Sequence, residues 1–249
     1  MSGHGREVFV FPTADDVARA AAERMVAVLS DCLGPAAVCL SGGATPQLLF
    51  KALSASPWRE SIAWKRVHWF VGDERLVPMS SADSNMGTAE RLFLHALAPA
   101  QNIHRVRTDA ARPAEIYEAD LRQFRATLDG DAPLFECVIL GVGQDGHTAS
   151  LFPGSVVLSE KKRWVVDVPE PAVPPLVPRI TLTPPCLGST RNMMFLVTGH
   201  GKREVMRSVL AGDDLPATRV SAAFGKTTWL IDQAASPDID RPSASGLKV

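Results

Sequence analysis

Short apolar runs recur along the chain, separated by longer amphipathic stretches, and this alternation restricts the fold more than any other feature of the sequence. Val8–Phe11, Ala37–Leu40, Val67–Val71, Val138–Leu140, Trp164–Val168, Met193–Val197 and Thr228–Ile231 read as strands. Asp15–Leu33, Thr45–Leu53, Asn85–Leu97, Pro113–Leu128 and Lys202–Leu210 carry helical spacing. Strands that alternate with helices predict an α/β fold with a mainly parallel sheet flanked by helices on both faces, because parallel neighbours need a crossover connection. Ligands of such folds gather outside the carboxyl ends of the strands.

The 249 residues suit one such domain, expected over residues 1–235, with a flexible tail over 236–249. Pro171 to Pro178, with four prolines, predicts an ordered crossing loop. A net charge of -1 leaves no global basic field, so neither nucleic acid nor an anionic membrane is the expected partner. Cys32, Cys39, Cys137 and Cys186 are widely spaced and read as free thiols of a reducing compartment. With no signal-peptide pattern and no apolar run of membrane-spanning length, the expected location is the cytoplasm.

Three strand ends carry chemistry. After Leu40 comes SGGATP, where Ser41, Gly42, Gly43, Ala44 and Thr45 lead into a helix, with Thr45 as its expected cap and Pro46 in its first turn. A helix start at a strand's carboxyl end can cradle a phosphate, although an ordinary tight turn fits the spacing equally well. After Val71 comes GDERLVP, whose Asp73, Glu74 and Arg75 read more readily as a solvated corner than as a ligand site.

After Leu140 comes GVGQDGHTASLFPG, the most informative of the three. Its glycines spell G-x-G-x-x-G, the mark of a dinucleotide site, with Asp167 about 20 residues beyond. Yet Pro153 and Gly154 interrupt the chain where that site needs its crossover helix, so a short turn exposing Asp145 and His147 is expected. An imidazole placed there can take and return a proton near neutral pH. His68 and His95 read as structural, His104 as the end of a short strand, and no histidine pair has metal-ligand spacing. Arg179, heading PRITLT, and Lys202, after TGHG, are cations that would suit a phosphate if they converged; singly, each reads as a surface charge.

In this order, SGGATP, GDERLVP with DSN beyond it, GVGQDGHTASLFPG, PRITLT and TGHGK resemble the 6-phosphogluconolactonase family from about Val8 to Ala235. The resemblance implies the fold of the sugar-phosphate isomerases and deaminases, which is Rossmann-like. It also implies hydrolysis of 6-phospho-D-glucono-1,5-lactone in the oxidative pentose phosphate pathway, with neither metal nor cofactor. Carried over residue by residue, it makes His147 the general base with Asp145 beside it in the catalytic motif. It places Ser41 to Thr45 along the substrate, and gives Arg75, Arg179 and Lys202 to the phosphate. Backbone N–H groups of one of the glycine loops would hold the oxyanion. The family's usual histidine and proline ahead of DSN are here Ser81 and Ala82.

Two rivals share the fold: a glucosamine-6-phosphate deaminase or isomerase using Asp73 to move a proton, and a sugar-phosphate-binding module without catalysis. The deaminase reading is disfavoured by Arg75, where those enzymes carry an aromatic residue. An NAD-dependent oxidoreductase is a weak third.

Overall fold

The computed structural model describes residues 6–169, 171, 173–237 and 247–248. In chain order the elements are β1 (Arg6–Phe11), α1 (Ala14–Ser30), β2 (Ala36–Leu40), α2 (Ala44–Leu53), α3 (Trp58–Ser61), β3 (Val67–Val71), β4 (Asp73–Arg75) and α4 (Asn85–Ala89). A turn of π-helix over Glu90–Leu94 joins α4 to α5 (His95–Leu97), followed by α6 (Pro113–Arg125) and β5 (Phe135–Leu140). Then come β6 (Val165–Val168), β7 (Arg179–Leu182), α7 (Pro184–Gly188), β8 (Thr190–Val197), α8 (Arg203–Ala211), β9 (Lys226–Asp232) and β10 (Leu247–Lys248).

Seven strands form the main sheet in the order β10-β1-β9-β8-β5-β2-β3. All pairs among β1, β9, β8, β5, β2 and β3 are parallel, and only β10 runs antiparallel, against β1. The sheet is mainly parallel and flanked by helices, as the alternation of sequence patterns requires. Val38, Cys39, Leu40, Val138, Ile139, Leu140, Phe195 and Ile231 are fully buried, which is why these strands read as unbroken apolar runs. The free edge of β3 is covered by Tyr117 of α6, whose hydroxyl accepts from Val71 N at 2.8 Å and donates to Val71 O at 3.1 Å.

The strand order sets the position of any ligand. From β2 the chain steps outward to β3, whereas from β5 it steps the opposite way through β8 to β9. The direction reverses between β2 and β5, and at such a switch point the connections leave on opposite faces and open a crevice. The loops after β2 and β5 are the two glycine-rich segments of the sequence.

A second sheet, antiparallel in the order β4-β7-β6, stands beside this crevice. Trp164–Val168 was expected among the parallel strands; its strand β6 belongs to this small sheet instead. Helix α1 stops at Ser30, short of the expected Leu33, which is 94% exposed. Helix α6 stops at Arg125, three residues short of Leu128. In the proline-rich crossing loop, Val173 and Pro175 hold Arg179 through their carbonyls. Most of the tail expected to be flexible, residues 238–246 and 249, lies outside the described residues, while Leu247–Lys248 pairs with β1.

Candidate functional site

The crevice at the switch point is a cleft of about 380 Å³, within the range of small-molecule sites. Ser41, Gly42, Gly43, Ala44 and Thr45 line it from β2, and Gly141 to Gly143 with His147 from β5. Arg75 and Arg179 line it from the small sheet, and Lys202 from the loop after β8. Asp145 stands behind His147 rather than in the wall.

The β5 loop is built around one side-chain pair. His147 Nδ1 lies 2.5 Å from Asp145 Oδ1, and the same oxygen accepts from His147 N at 3.1 Å. A carboxylate can only accept, so the ring proton sits on Nδ1 and Nε2 carries the free lone pair. Burial pushes the Asp145 carboxyl up, but the hydrogen bonds from the His147 backbone and ring, with its charge, outweigh this and leave it below its ordinary value. Phe152 packs between the charged groups: its ring centroid is 4.9 Å from that of His147 and 5.5 Å from the Arg179 guanidinium carbon.

The glycines leave room for this pair. A methyl group at Gly143 would lie 2.0 Å from His147 Nδ1 and 2.5 Å from Asp145 Oδ1. At Gly146, φ is +83° and a methyl would meet Leu215 at 2.8 Å. No helix follows, since the chain has only bends and turns between Leu140 and the 3-10 turn Val156–Ser159. The dinucleotide pattern is therefore coincidental.

The β2 loop behaves differently from one expectation. Gly43, at φ +106°, is the N-cap of α2, and no side chain caps that helix. Thr45 is not the cap: its hydroxyl meets that of Thr198 at 2.6 Å, tying the loop to the end of β8. The first-turn N–H groups of α2 therefore have no side-chain acceptor and can serve an anion.

Charge is concentrated across the cleft. Arg75 and Arg179 are directly opposed partners in the antiparallel β4–β7 pair, an arrangement that costs stability for like charges. Arg75 donates to Asp83 O at 2.7 Å, and Arg179 to the carbonyls of Val173 at 2.9 Å and Pro175 at 3.0 Å. Among the described residues neither makes a salt bridge, and the Nε of each is buried without a partner. Burial lowers the pKa of Arg179, with Asp73 opposing the shift and Arg75 adding to it. Burial likewise lowers that of Lys202, against the charge of Asp145. The Lys202 loop is fixed by the buried Asp232, which accepts from Gly199 N at 3.0 Å.

The GDER segment is not a solvated corner. Glu74 is fully buried and accepts from the N–H groups of Arg75, Asn85 and Met86 and from the Ser84 hydroxyl, so it anchors the start of α4. Burial pushes its carboxyl up despite those backbone donors. Asp73 is 6% exposed and lines the cleft, accepting from Ser150 Oγ at 2.7 Å and Asn85 Nδ2 at 3.2 Å. Asn85, Thr148, Ala149 and Thr198 also line the cleft, and none was singled out from the sequence. For Asn85 a signal existed in Gly42, where a methyl would lie 1.9 Å from Asn85 Oδ1, but the two are 43 positions apart and only the fold joins them.

The other histidines are accounted for elsewhere. His68 Nδ1 is 2.9 Å from His104 Nε2, and His104 Nδ1 is 2.8 Å from Asp120 Oδ2. His104 donates its N–H to Trp69 O and stacks on Phe70 with centroids 3.9 Å apart, continuing the edge of β3 away from the cleft. Among the described residues no group of three or more metal-ligating side chains occurs, and no helix is long and apolar enough to cross a membrane.

Comparison with known proteins agrees with this geometry. Residues 12–229 match the family described as glucosamine-6-phosphate isomerases/6-phosphogluconolactonase. A 6-phosphogluconolactonase of Haemophilus influenzae is 36% identical over 90% of this chain and 96% of its own length. One from Rattus norvegicus is 35% identical over 88% of this chain and 87% of its own. The crystal structure of 6-phosphogluconolactonase from Thermotoga maritima superposes with a TM-score of 0.78 at 29% identity, covering 92% of this chain and all of that one.

Proposed function

Since the chain belongs to the glucosamine-6-phosphate isomerase/6-phosphogluconolactonase family, we infer that it hydrolyses 6-phospho-D-glucono-1,5-lactone to 6-phospho-D-gluconate, a step of the oxidative pentose phosphate pathway. The observation that carries this reading is one cleft holding an oriented base on one wall and opposed, carboxylate-free arginines on another.

The phosphate dianion goes to Arg179, Arg75, Lys202 and the uncapped start of α2, where it would relieve the repulsion between the arginines. Held there, the sugar presents C1 to His147. The free Nε2 takes a proton from water as its oxygen bonds to C1, and the carbonyl becomes a tetrahedral oxyanion held by backbone N–H groups of the glycine loops. Collapse reforms the carbonyl and breaks the bond from C1 to the ring oxygen, which leaves with the proton returned by Nε2. Asp145 holds the imidazole in the required tautomer and stabilises the imidazolium between the two transfers. The carboxylate that results loses its own proton to solvent.

A lactone carbonyl is already electrophilic, so these side chains suffice without cofactor or metal. The four free cysteines, three of them buried, favour a reducing compartment such as the cytoplasm.

The test is turnover of freshly generated lactone in EDTA, read as acid release above the spontaneous rate, with ammonia release from glucosamine 6-phosphate measured alongside. Enzymatic acid release without ammonia supports the reading. Ammonia release without lactone turnover would overturn it in favour of a deaminase.

A further inference from the structure

The mechanism leaves one charged group of the cleft unused. Asp73 is buried in its wall, and Ser150 Oγ and Asn85 Nδ2 each hold one of its carboxylate oxygens. Asp73 and Arg75 lie two residues apart on β4, facing Thr181 and Arg179 on β7. Strand pleating puts all four on the same face of the small sheet. Ser150 bridges the groups, because its hydroxyl donates to Asp73 and its N–H to Thr181 Oγ1 at 3.3 Å. Three residues earlier in the same loop stands His147. A carboxylate is thus fixed between the arginines and the base.

If this rests on the lactonase reading, the chemistry gives the carboxylate a task. The substrate carries charge only at its phosphate, whereas the product carries a second anionic group, formed at C1. A cleft offering Arg75, Arg179 and Lys202 would hold that product more tightly than the substrate and turn over slowly. Selecting against a competitor needs a repulsive element as well as an attractive one.

We propose that Asp73 is a specificity-determining residue that repels the carboxylate of the newly formed product and so speeds its release. Its buried place in the wall keeps the charge from being screened by water, and the hydrogen bonds from Ser150 and Asn85 keep it from swinging onto either arginine.

The test measures binding by calorimetry, which needs no turnover. The ligands are 6-phosphogluconate and glucitol 6-phosphate, which has the same phosphate and chain but no carboxylate. In the wild-type protein the first should bind no more tightly than the second, despite its extra charge and the three cations. In Asp73→Asn, which keeps the shape and one acceptor, the Kd of 6-phosphogluconate should fall about 10-fold while that of glucitol 6-phosphate moves less than about 3-fold. Product inhibition should deepen in parallel.

Equal tightening of both ligands would place the repulsion at the phosphate and overturn the proposal, as would no change in either. If the variant does not fold, the wild-type comparison still decides: product binding 10-fold tighter than glucitol 6-phosphate overturns the proposal. Failure of the wild-type protein to bind either phosphorylated chain would instead sink the lactonase reading beneath it.

Discussion

Gly143→Ala tests the base and its orientation with a single methyl group. That methyl would arrive 2.0 Å from His147 Nδ1 and 2.5 Å from Asp145 Oδ1, where real contacts do not come below 3.0 Å. Gly143 does not sit at positive φ, so the backbone accepts alanine and the strain falls on the pair itself. His147 must withdraw by at least about 1 Å, or the Asp145 contact must open. Misplacement of that size costs roughly 10²-fold in rate, while overpacking of this kind destabilises by about 1–3 kcal/mol. The expected result is a folded protein with a lowered melting temperature, kcat down about 100-fold and the Kd of glucitol 6-phosphate nearly unchanged, because the arginines, Lys202 and α2 are untouched. Steady-state hydrolysis corrected for the spontaneous rate gives kcat, and calorimetry gives the Kd. A kcat within about 3-fold of wild type would refute the reasoning, since it would mean the Asp145–His147 geometry can be lost without cost.

Removing the base outright by His147→Ala should lower kcat by on the order of 10²–10⁴ with folding intact, measured in the same assay. Lys202→Met or Arg179→Met should cost about 10- to 100-fold in kcat/KM on the phosphorylated lactone. Both should spare plain glucono-δ-lactone, and equal losses on the two substrates would remove these residues from the phosphate. Burial, and then His104, lower the pKa of His68 below its ordinary 6.5, against the pull of Asp120. The folded state therefore binds fewer protons than the unfolded one as the pH drops below 6.5, and stability declines there. The melting temperature of His68→Gln should fall less than that of wild type between pH 7.5 and 5.5, and parallel curves would place the acid sensitivity elsewhere.

The main sheet was legible because its strands are buried on both faces, which writes them into the sequence as apolar runs such as AAVCL and FECVIL. The small sheet was not. Its first strand is three residues of charge, Asp73–Arg75, and nothing local shows that two of them are buried. Their burial depends on donors from Ser84, Asn85, Met86 and Ser150, which only the folded chain assembles. His147 and Asp145 were legible because the whole pair fits within one loop. Thr45 was misread because its preference for a helix cap is local, whereas the hydroxyl of Thr198, 153 positions away, is not. Family resemblance supplied Arg75, Arg179 and Lys202 together; what it left out was that the first two are facing partners across one ladder.

That facing pair reaches beyond catalysis. Two guanidinium groups are fixed in register on neighbouring strands, without a carboxylate against either, so the β4–β7 ladder is weakest when the cleft holds no anion. An anion that settles between them supports the fold as much as it occupies a site. The composition of the surrounding solution thus becomes part of the protein's stability: phosphate or sulfate acts as a removable brace for the small sheet. Melting curves recorded in buffers of different anions report how full the cleft is as well as how well the core is packed.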